Sequence, residues 1–252
     1  MAKAKKERTR KGRDLDKWRN TRPAAPAGSV RIIGGQYRGQ TLLYSGDKIT
    51  RPMKDNVREA LFNLVGGYLE DTVVFDLFAG TGAVGLEALS RHAFHSVLIE
   101  RHVPTSRIIR QNAESIDVMG DVSICCSDTF FWVRQFAREI DSGNVQSIQL
   151  DLPSLQQRPW VVFCCPPYDS YLNEEAKLLP MLEFFCHHCP PQSLIVVECD
   201  DRFDLGLLPA PDQWKTTRYS PAIISILKFM GQQAHETQEK GSLIDSHLEE
   251  ME

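Results

Sequence analysis

Asp76-Leu77-Phe78-Ala79-Gly80-Thr81-Gly82-Ala83-Val84-Gly85 follows a continuous apolar run that starts at Val73 and leads into a helical pattern over 83–91. An uninterrupted apolar strand of this kind reads as buried on both faces, as in a parallel sheet covered by helices. Gly80, Gly82 and Gly85 satisfy GxGxxG at the strand-to-helix turn, where glycine lets the backbone turn tightly and approach a ligand. In a parallel sheet, ligands bind at the carboxyl ends of the strands, near the point where strand order reverses.

Working outward, strand and helix patterns alternate. Strands are expected at 73–77, 96–99, 122–125, 161–164 and 194–197, with helices at 83–91, 103–116, 130–140 and 174–185 between them. Residues 214–219 and 223–229 read as a terminal hairpin. Upstream, 30–33 and 41–44 read as short strands around Gly34-Gly35. Pro52 suits a first helical turn, and Val57, Ala60, Leu61, Leu64 and Val65 form one apolar stripe ended by Gly66-Gly67. The boundaries that follow are 1–29 for a basic arm and linker, 30–71 for a hairpin-and-helix extension, 72–230 for the α/β domain and 231–252 for an acidic tail. Residues 141–159 are polar and read as a loop.

Composition narrows the class. With 42% hydrophobic and 25% charged residues the chain is an ordinary globular sequence, large enough for its own core. No apolar run approaches the ~20 residues that cross a bilayer, and the charged N-terminus offers no apolar leader, so a cytoplasmic protein is expected. The seven cysteines are not spaced as a disulfide framework and read as free thiols. Cys186-His187-His188-Cys189 is a lone CxxC, read as a frayed helix end before Pro190-Pro191, and no metal is expected. The net charge of −4 conceals an asymmetry. Residues 1–22 carry ten Lys or Arg against three acids, whereas residues 231–252 carry one lysine against six acids. The basic arm suits either a solvated tail or a polyanion.

The glycine loop alone also fits a dinucleotide turn. Two features separate the readings. Asp76, four residues before Gly80, has no partner in a pyrophosphate site but suits an ammonium group, such as that of the methionine part of S-adenosylmethionine; a helix-capping role is its alternative. Glu100, ending the next strand, is placed to accept from ribose hydroxyls and is common to both readings. The second feature is Cys165-Pro166-Pro167-Tyr168 at the end of the fourth strand. It is similar to the (Asp/Asn/Ser)-Pro-Pro-(Tyr/Phe/Trp) tetrapeptide of amino-group methyltransferases. There the first side chain and a proline carbonyl accept from an exocyclic amine, and the ring stacks on a base.

Three further blocks are more specific: Arg31-Ile32-Ile33-Gly34-Gly35-Gln36-Tyr37-Arg38-Gly39, then Thr50-Arg51-Pro52, then Asp55-Asn56-Val57-Arg58-Glu59-Ala60-Leu61-Phe62-Asn63. With Leu98-Ile99-Glu100 and Pro166-Pro167-Tyr168, they make residues 30–230 resemble the RsmD-type family, which methylates N2 of a guanine in small-subunit (16S) ribosomal RNA. The resemblance implies an α/β class I S-adenosylmethionine-dependent methyltransferase: a Rossmann-like seven-stranded sheet with the last strand antiparallel, carrying a small N-terminal β-hairpin and helix extension. It implies S-adenosyl-L-methionine as cofactor and small-subunit rRNA or the assembling 30S subunit as partner, with the chain acting as a monomer away from membranes.

Carried over, Asp76 and Gly80, Thr81 and Gly82 become methionine-side contacts, with Phe78 and Ala79 on the same cofactor-binding stretch. Glu100 becomes the ribose contact, and Asp128 an adenine contact or a helix N-cap. Cys165, Pro166, Pro167 and Tyr168 become the catalytic group. Arg38, Arg51 and Arg58 become RNA-phosphate candidates, Arg58 alternatively packing with Glu59. Cys165 departs from the family pattern, because a thiol accepts hydrogen bonds more weakly than a carboxylate. It leaves three readings: an active enzyme relying more on the Pro166 carbonyl, an impaired methyltransferase fold kept as an RNA-binding or ribosome-assembly factor, or an enzyme for another acceptor. Cys164 alternates to the opposite face and reads as core.

Overall fold

Val73–Asp76 (β3) lies at the centre of a seven-stranded sheet, pairing in parallel with His95–Ile99 (β4) on one side and Trp160–Cys164 (β6) on the other. The computed structural model describes residues 28–44, 46, 52–142 and 157–229; Arg51, both tails and most of the 141–159 stretch lie outside them. Val122–Cys125 (β5) extends the sheet beyond β4, and Leu194–Cys199 (β7) extends it beyond β6. Lys215–Tyr219 (β8) and Ala222–Lys228 (β9) complete the order β5-β4-β3-β6-β7-β9-β8. The last strand, β9, inserts antiparallel between β7 and β8. This is the class I methyltransferase-like α/β architecture.

Strand order reverses between β3 and β6. The chain runs outward from β3 to β4 and β5, then crosses back to β6 and proceeds the other way. The crevice expected at such a switch lies over the carboxyl ends of β3 and β6.

Side-chain alternation divides the core in two. Val74, Val161, Phe163 and Val196 face a cluster that includes Val57, Leu61 and Phe62 of Asp55–Val65 (α1) and residues of Ala83–Ser90 (α2) and Val103–Ser115 (α3). Val73, Phe75, Val162, Cys164 and Val197 face Thr129–Ser142 (α4), Ser170–Asn173 (α5) and Glu175–His188 (α6). Phe75 centres an aromatic nest on that side, 5.0 Å from Trp160 and 5.4 Å from Phe136. Cys164 is fully buried there, as its alternation requires. The helix α6 continues through His188 rather than fraying. The imidazoles of His187 and His188 bond the carbonyls four residues back, Glu183 and Phe184, and so hold the last turn. Among the described residues no group of three or more His, Cys, Asp or Glu is placed to hold a metal, and no helix is long and apolar enough to cross a membrane.

The extension is anchored by one carboxylate. Glu87 on α2 is wholly buried. It accepts from the Ile33 and Gly34 amides, both at 2.8 Å, and from Arg91 Nη2 at 2.9 Å, and it forms an ion pair with Arg58 Nε at 3.5 Å. Ser90, one turn on, accepts from the Tyr37 amide, donates to the Gly34 carbonyl, and offers its own carbonyl to the Gln36 amide. Gly35, at φ +76, passes so close that a Cβ would stand 1.8 Å from the Ser90 carbonyl oxygen. The first strand therefore stops short of expectation. Gly28–Arg31 (β1) ladders with Thr41–Tyr44 (β2), but the amides at 33 and 34 go to Glu87 instead of a strand partner. At its other end β1 reaches back to Gly28 and Ser29, expected to be linker, because the ladder pairs them with Tyr44 and Leu43. The α1 helix likewise starts at Asp55, leaving Pro52 outside the first turn and Lys54 extended. Asn112, buried on α3, ties the other strand down. Its Oδ1 accepts from Leu43, and its Nδ2 donates to the carbonyls of Leu43 and of Thr81 in the glycine loop.

This network corrects one sequence expectation. Arg58, a candidate phosphate contact, is 0% exposed, and donates to the carbonyls of Arg31 and Met53 and to Asp55. Its guanidinium is consumed in fastening α1 to β1 and α2 and cannot reach a phosphate backbone.

Replacing Arg58 by Met should therefore cost about 3–5 kcal/mol, because it leaves the buried Glu87 carboxylate short of a partner. Arg38→Met, on the exposed turn after β1, should stay within about 0.5 kcal/mol. Urea unfolding of both variants checks the contrast.

Candidate functional site

A cavity of about 480 Å³ opens over the carboxyl ends of β3 and β6. Its wall contains every residue assigned from the sequence to catalysis (Cys165, Pro166, Pro167 and Tyr168) and all those assigned to cofactor binding except Gly82. Gly80 and Gly82 both take positive φ, +53 and +79. A Cβ on Gly80 would meet nothing within 4 Å, whereas one on Gly82 would press on Ile109 of α3 at 3.0 Å. The first glycine therefore borders the cavity, and the second lets the loop turn onto its neighbouring helix.

Two carboxylates stand on the loop side. Asp76 is 1% exposed, and its Oδ2 accepts from the Gly85 amide at 3.1 Å. It thus caps the first turn of α2, and it also faces the cavity. Burial pushes its carboxyl up to about 7, with Glu100 adding to the rise and the Gly85 amide opposing it. Glu100 accepts from the Gly80 amide at 2.9 Å through Oε2 and from the His102 amide at 2.7 Å through Oε1. Each oxygen keeps a further lone pair. Two fixed amides therefore orient the carboxylate while leaving an acceptor on each oxygen for a pair of vicinal hydroxyls. Burial holds Glu100 above the ordinary carboxylate range. Asp128 caps α4 through the Phe131 amide at 3.1 Å and also lines the cavity.

The opposite wall is the turn after β6. Pro166 is buried, Pro167 exposed and Tyr168 half-buried. The Tyr168 hydroxyl donates to Glu198 Oε1 at the end of β7. Burial raises the Tyr168 hydroxyl well above its usual range, and the Glu198 bond adds to it. Burial also pushes Glu198 up to about 7, with Tyr168 opposing the rise and Asp200 adding to it. Cys165 is held far above a normal thiol by burial and then by Glu198 and Asp76. It is therefore a neutral thiol and not a thiolate nucleophile.

Sequence reasoning missed part of this wall. Pro52, Met53 and Lys54 reach it from the approach to α1, Arg101 from the residue after Glu100, and Glu198 and Arg202 from the end of β7. Arg101 could have been found from its place beside a strand-end acid. Glu198 and Arg202 depend on β7 lying next to β6, which no local pattern encodes. Arg202 bonds Asp200 and Asp169, bracing the segment after Tyr168. Arg38 is exposed and lies away from the cavity, and Arg51 lies outside the described residues.

The donor set fits a ligand with a cation at one end and a ribose at the other. Asp76 is a buried carboxylate whose partners among the described residues are backbone amides, so it gains most from an approaching ammonium group. The Glu100 acceptors and the open edge at Gly80 leave room for a nucleoside.

The family model described as Conserved hypothetical protein 95 matches residues 30–228. The chain is 38% identical over 193 residues to ribosomal RNA small subunit methyltransferase D of Escherichia coli K12, covering 76% of this chain and 84% of that one. It is 30% identical to the protein of the same name from Haemophilus influenzae, covering 74% and 86%. Among solved structures it is similar to the Escherichia coli protein yhhF, described as a candidate methyltransferase. That match has a TM-score of 0.59 and 27% identity over 81% of this chain and all of the other.

Because Asp76 ionises near pH 7, its attraction for an ammonium should grow as pH rises through that value. Affinity for S-adenosylhomocysteine should fall by about tenfold per pH unit below 7, with proton release on binding. Asp76→Asn should weaken binding and flatten the dependence. Calorimetry between pH 6 and 8, in two buffers of different ionisation enthalpy, measures both.

Proposed function

The chain belongs to the family described as Conserved hypothetical protein 95, and on that premise we propose that it transfers a methyl group from S-adenosylmethionine to the exocyclic N2 amine of a guanine in small-subunit (16S) ribosomal RNA. The observation that carries the reading is the single cavity in which the Asp76–Gly80 loop and the Pro166-Pro167-Tyr168 turn face each other. In this reading the cofactor supplies a methyl group on a positively charged sulfur, already a good electrophile. The protein supplies alignment and electrostatics.

Asp76 holds the ammonium end and Glu100 the ribose hydroxyls. Tyr168 offers its ring to a base, with its hydroxyl pinned by Glu198 so that the ring plane is set before the base arrives. The Pro166 carbonyl accepts from the exocyclic amine, whose lone pair is otherwise delocalised into the purine ring. Lys54, Arg101 and Arg202 bring positive charge to the rim of the cavity, where RNA phosphates would approach. Arg38, exposed on the turn after β1, and Arg51 remain in the proposal as RNA-phosphate contacts. The reading places the enzyme in the cytoplasm, acting as a monomer on assembling 30S subunits. Family membership and a complete cavity support catalysis over retention as a non-catalytic assembly factor.

Small subunits lacking their guanine-N2 methyl groups should accept label from methyl-labelled S-adenosylmethionine, and digestion should release N2-methylguanosine. Label in a pyrimidine, or none despite cofactor binding, would sink the reading. In the same assay Tyr168→Ala should reduce kcat/KM for RNA by roughly 10- to 100-fold, the range of a lost stacking platform, while leaving cofactor affinity within twofold.

A further inference from the structure

Cys165 and Glu198 occupy equivalent positions on neighbouring parallel strands. The register pairs Cys164 with Val197, so Cys165 and Glu198 stand side by side one residue further on, at the carboxyl edge. Alternation places both side chains on the face that carries Phe163 and Val196, the face on which α1 packs. Asp76, paired with Phe163, sits on that same face one strand over. Both Cys165 and Glu198 line the cavity, and Glu198 is 6% exposed. One of its oxygens, Oε1, holds the Tyr168 hydroxyl, and Oε2 takes no hydrogen bond from the described residues.

We propose that Glu198 is a catalytic residue: its Oε2 accepts a hydrogen bond from the substrate amine, the place that Cys165 leaves without a strong acceptor, and then takes the proton that the methylated nitrogen loses. The inference rests on the methyl-transfer reading above. In the step, the amine lone pair forms the new N–CH3 bond while the S–CH3 bonding pair returns to sulfur, so the positive charge moves to nitrogen. One N–H proton then passes to the Glu198 carboxylate. The products are a neutral secondary amine, a neutral thioether and a protonated Glu198 that re-equilibrates with solvent. The Tyr168 hydroxyl fixes the carboxylate at the edge of the stacked base, so stacking and amine alignment depend on the same hydrogen bond.

The groups around Glu198 are consistent with a carboxylate that exchanges a proton near neutrality. Tyr168 and Cys165 face it from the β6 turn, Asp200 and Arg202 follow it after β7, and Asp76 lies across the edge on β3. Lys54 reaches the same cavity from the approach to α1. The antiparallel neighbour of Glu198 on β9 is Ile224, which carries no charge. A neutral thiol at 165 also spares the edge a further negative charge between Asp76 and Glu198.

The test uses the full chain and undermodified small subunits under single-turnover conditions. Glu198→Gln should slow methyl transfer by about 10²-fold, the usual worth of a positioned acid or base, with S-adenosylhomocysteine affinity unchanged within twofold. With S-adenosylmethionine saturating at every pH, so that Asp76 does not limit binding, the native rate should rise with pH through about 7, and this limb should disappear in the variant. Cys165→Asp should raise the Glu198→Gln rate at least tenfold, because an acceptor at either position serves the same amine. A Glu198→Gln rate within threefold of native, or no rescue by Cys165→Asp, would overturn the role of Glu198 while leaving methyl transfer intact. Should Glu198→Gln fail to bind the cofactor, the single variant Cys165→Asp decides: a rise of tenfold or more overturns the proposal. A native chain that binds cofactor but transfers no methyl group would overturn the functional reading and this inference together.

Discussion

Glu87 is a carboxylate without solvent contact, and the front half of the molecule is organised around it. Burying a charge is costly unless its lone pairs are filled, and here they are filled by two backbone amides and the Arg91 guanidinium, with the Arg58 guanidinium pairing its charge at 3.5 Å. The amides belong to the turn after β1 and the guanidiniums to α1 and α2, so satisfying one side chain brings three segments together. Arg91 also lies over the Phe62 ring at 4.8 Å, and Phe62 in turn meets Phe163 of the sheet. The position of Pro52, Met53 and Lys54 on the cavity wall follows from that anchoring.

The helices and strands of the α/β domain were legible because each carries a strong local signal: apolar runs without alternation for β3, β6 and β7, and 3.6-residue stripes between them. The limits of β1 and α1 were not, because backbone amides at 33 and 34 serve a side chain 53 and 54 residues away. The same long reach misled the reading of Arg58. An arginine in a sequence reads as surface charge, and only the fold reveals a buried carboxylate waiting for it. In the site, Asp76, Glu100 and the Pro166-Pro167-Tyr168 turn were legible because strand ends and turns near the glycine loop must face the crevice. Gly82 matched the motif but serves the turn rather than the cavity wall. Glu198 went unread as a site residue because its importance comes from strand order, which places β7 next to β6.

The cavity has an acidic interior and a basic rim. Asp76, Glu100 and Glu198 all have carboxyls raised by burial, and the cations at the rim, Lys54, Arg101 and Arg202, are solvent-exposed. Such a pocket favours cationic ligands within and polyanions at its edge, which matches a donor with a charged sulfur and an ammonium group and an acceptor with a phosphate backbone. The neutral thiol of Cys165 fits this balance, since a carboxylate there would add like charge to a wall that already resists ionisation.

Asn112 joins two parts of the molecule that the chain separates widely, bonding Leu43 of the extension and Thr81 of the glycine loop with one amide side chain. Together with Glu87, it makes the hairpin-and-helix segment inseparable from the scaffold beneath it. A chimera that grafts residues 28–65 onto another sheet of the same topology would need the acid on α2 and the amide on α3 as well. Without them the transplanted segment would keep its own sequence but lose its seat. Segment and sheet are therefore expected to fold as one unit.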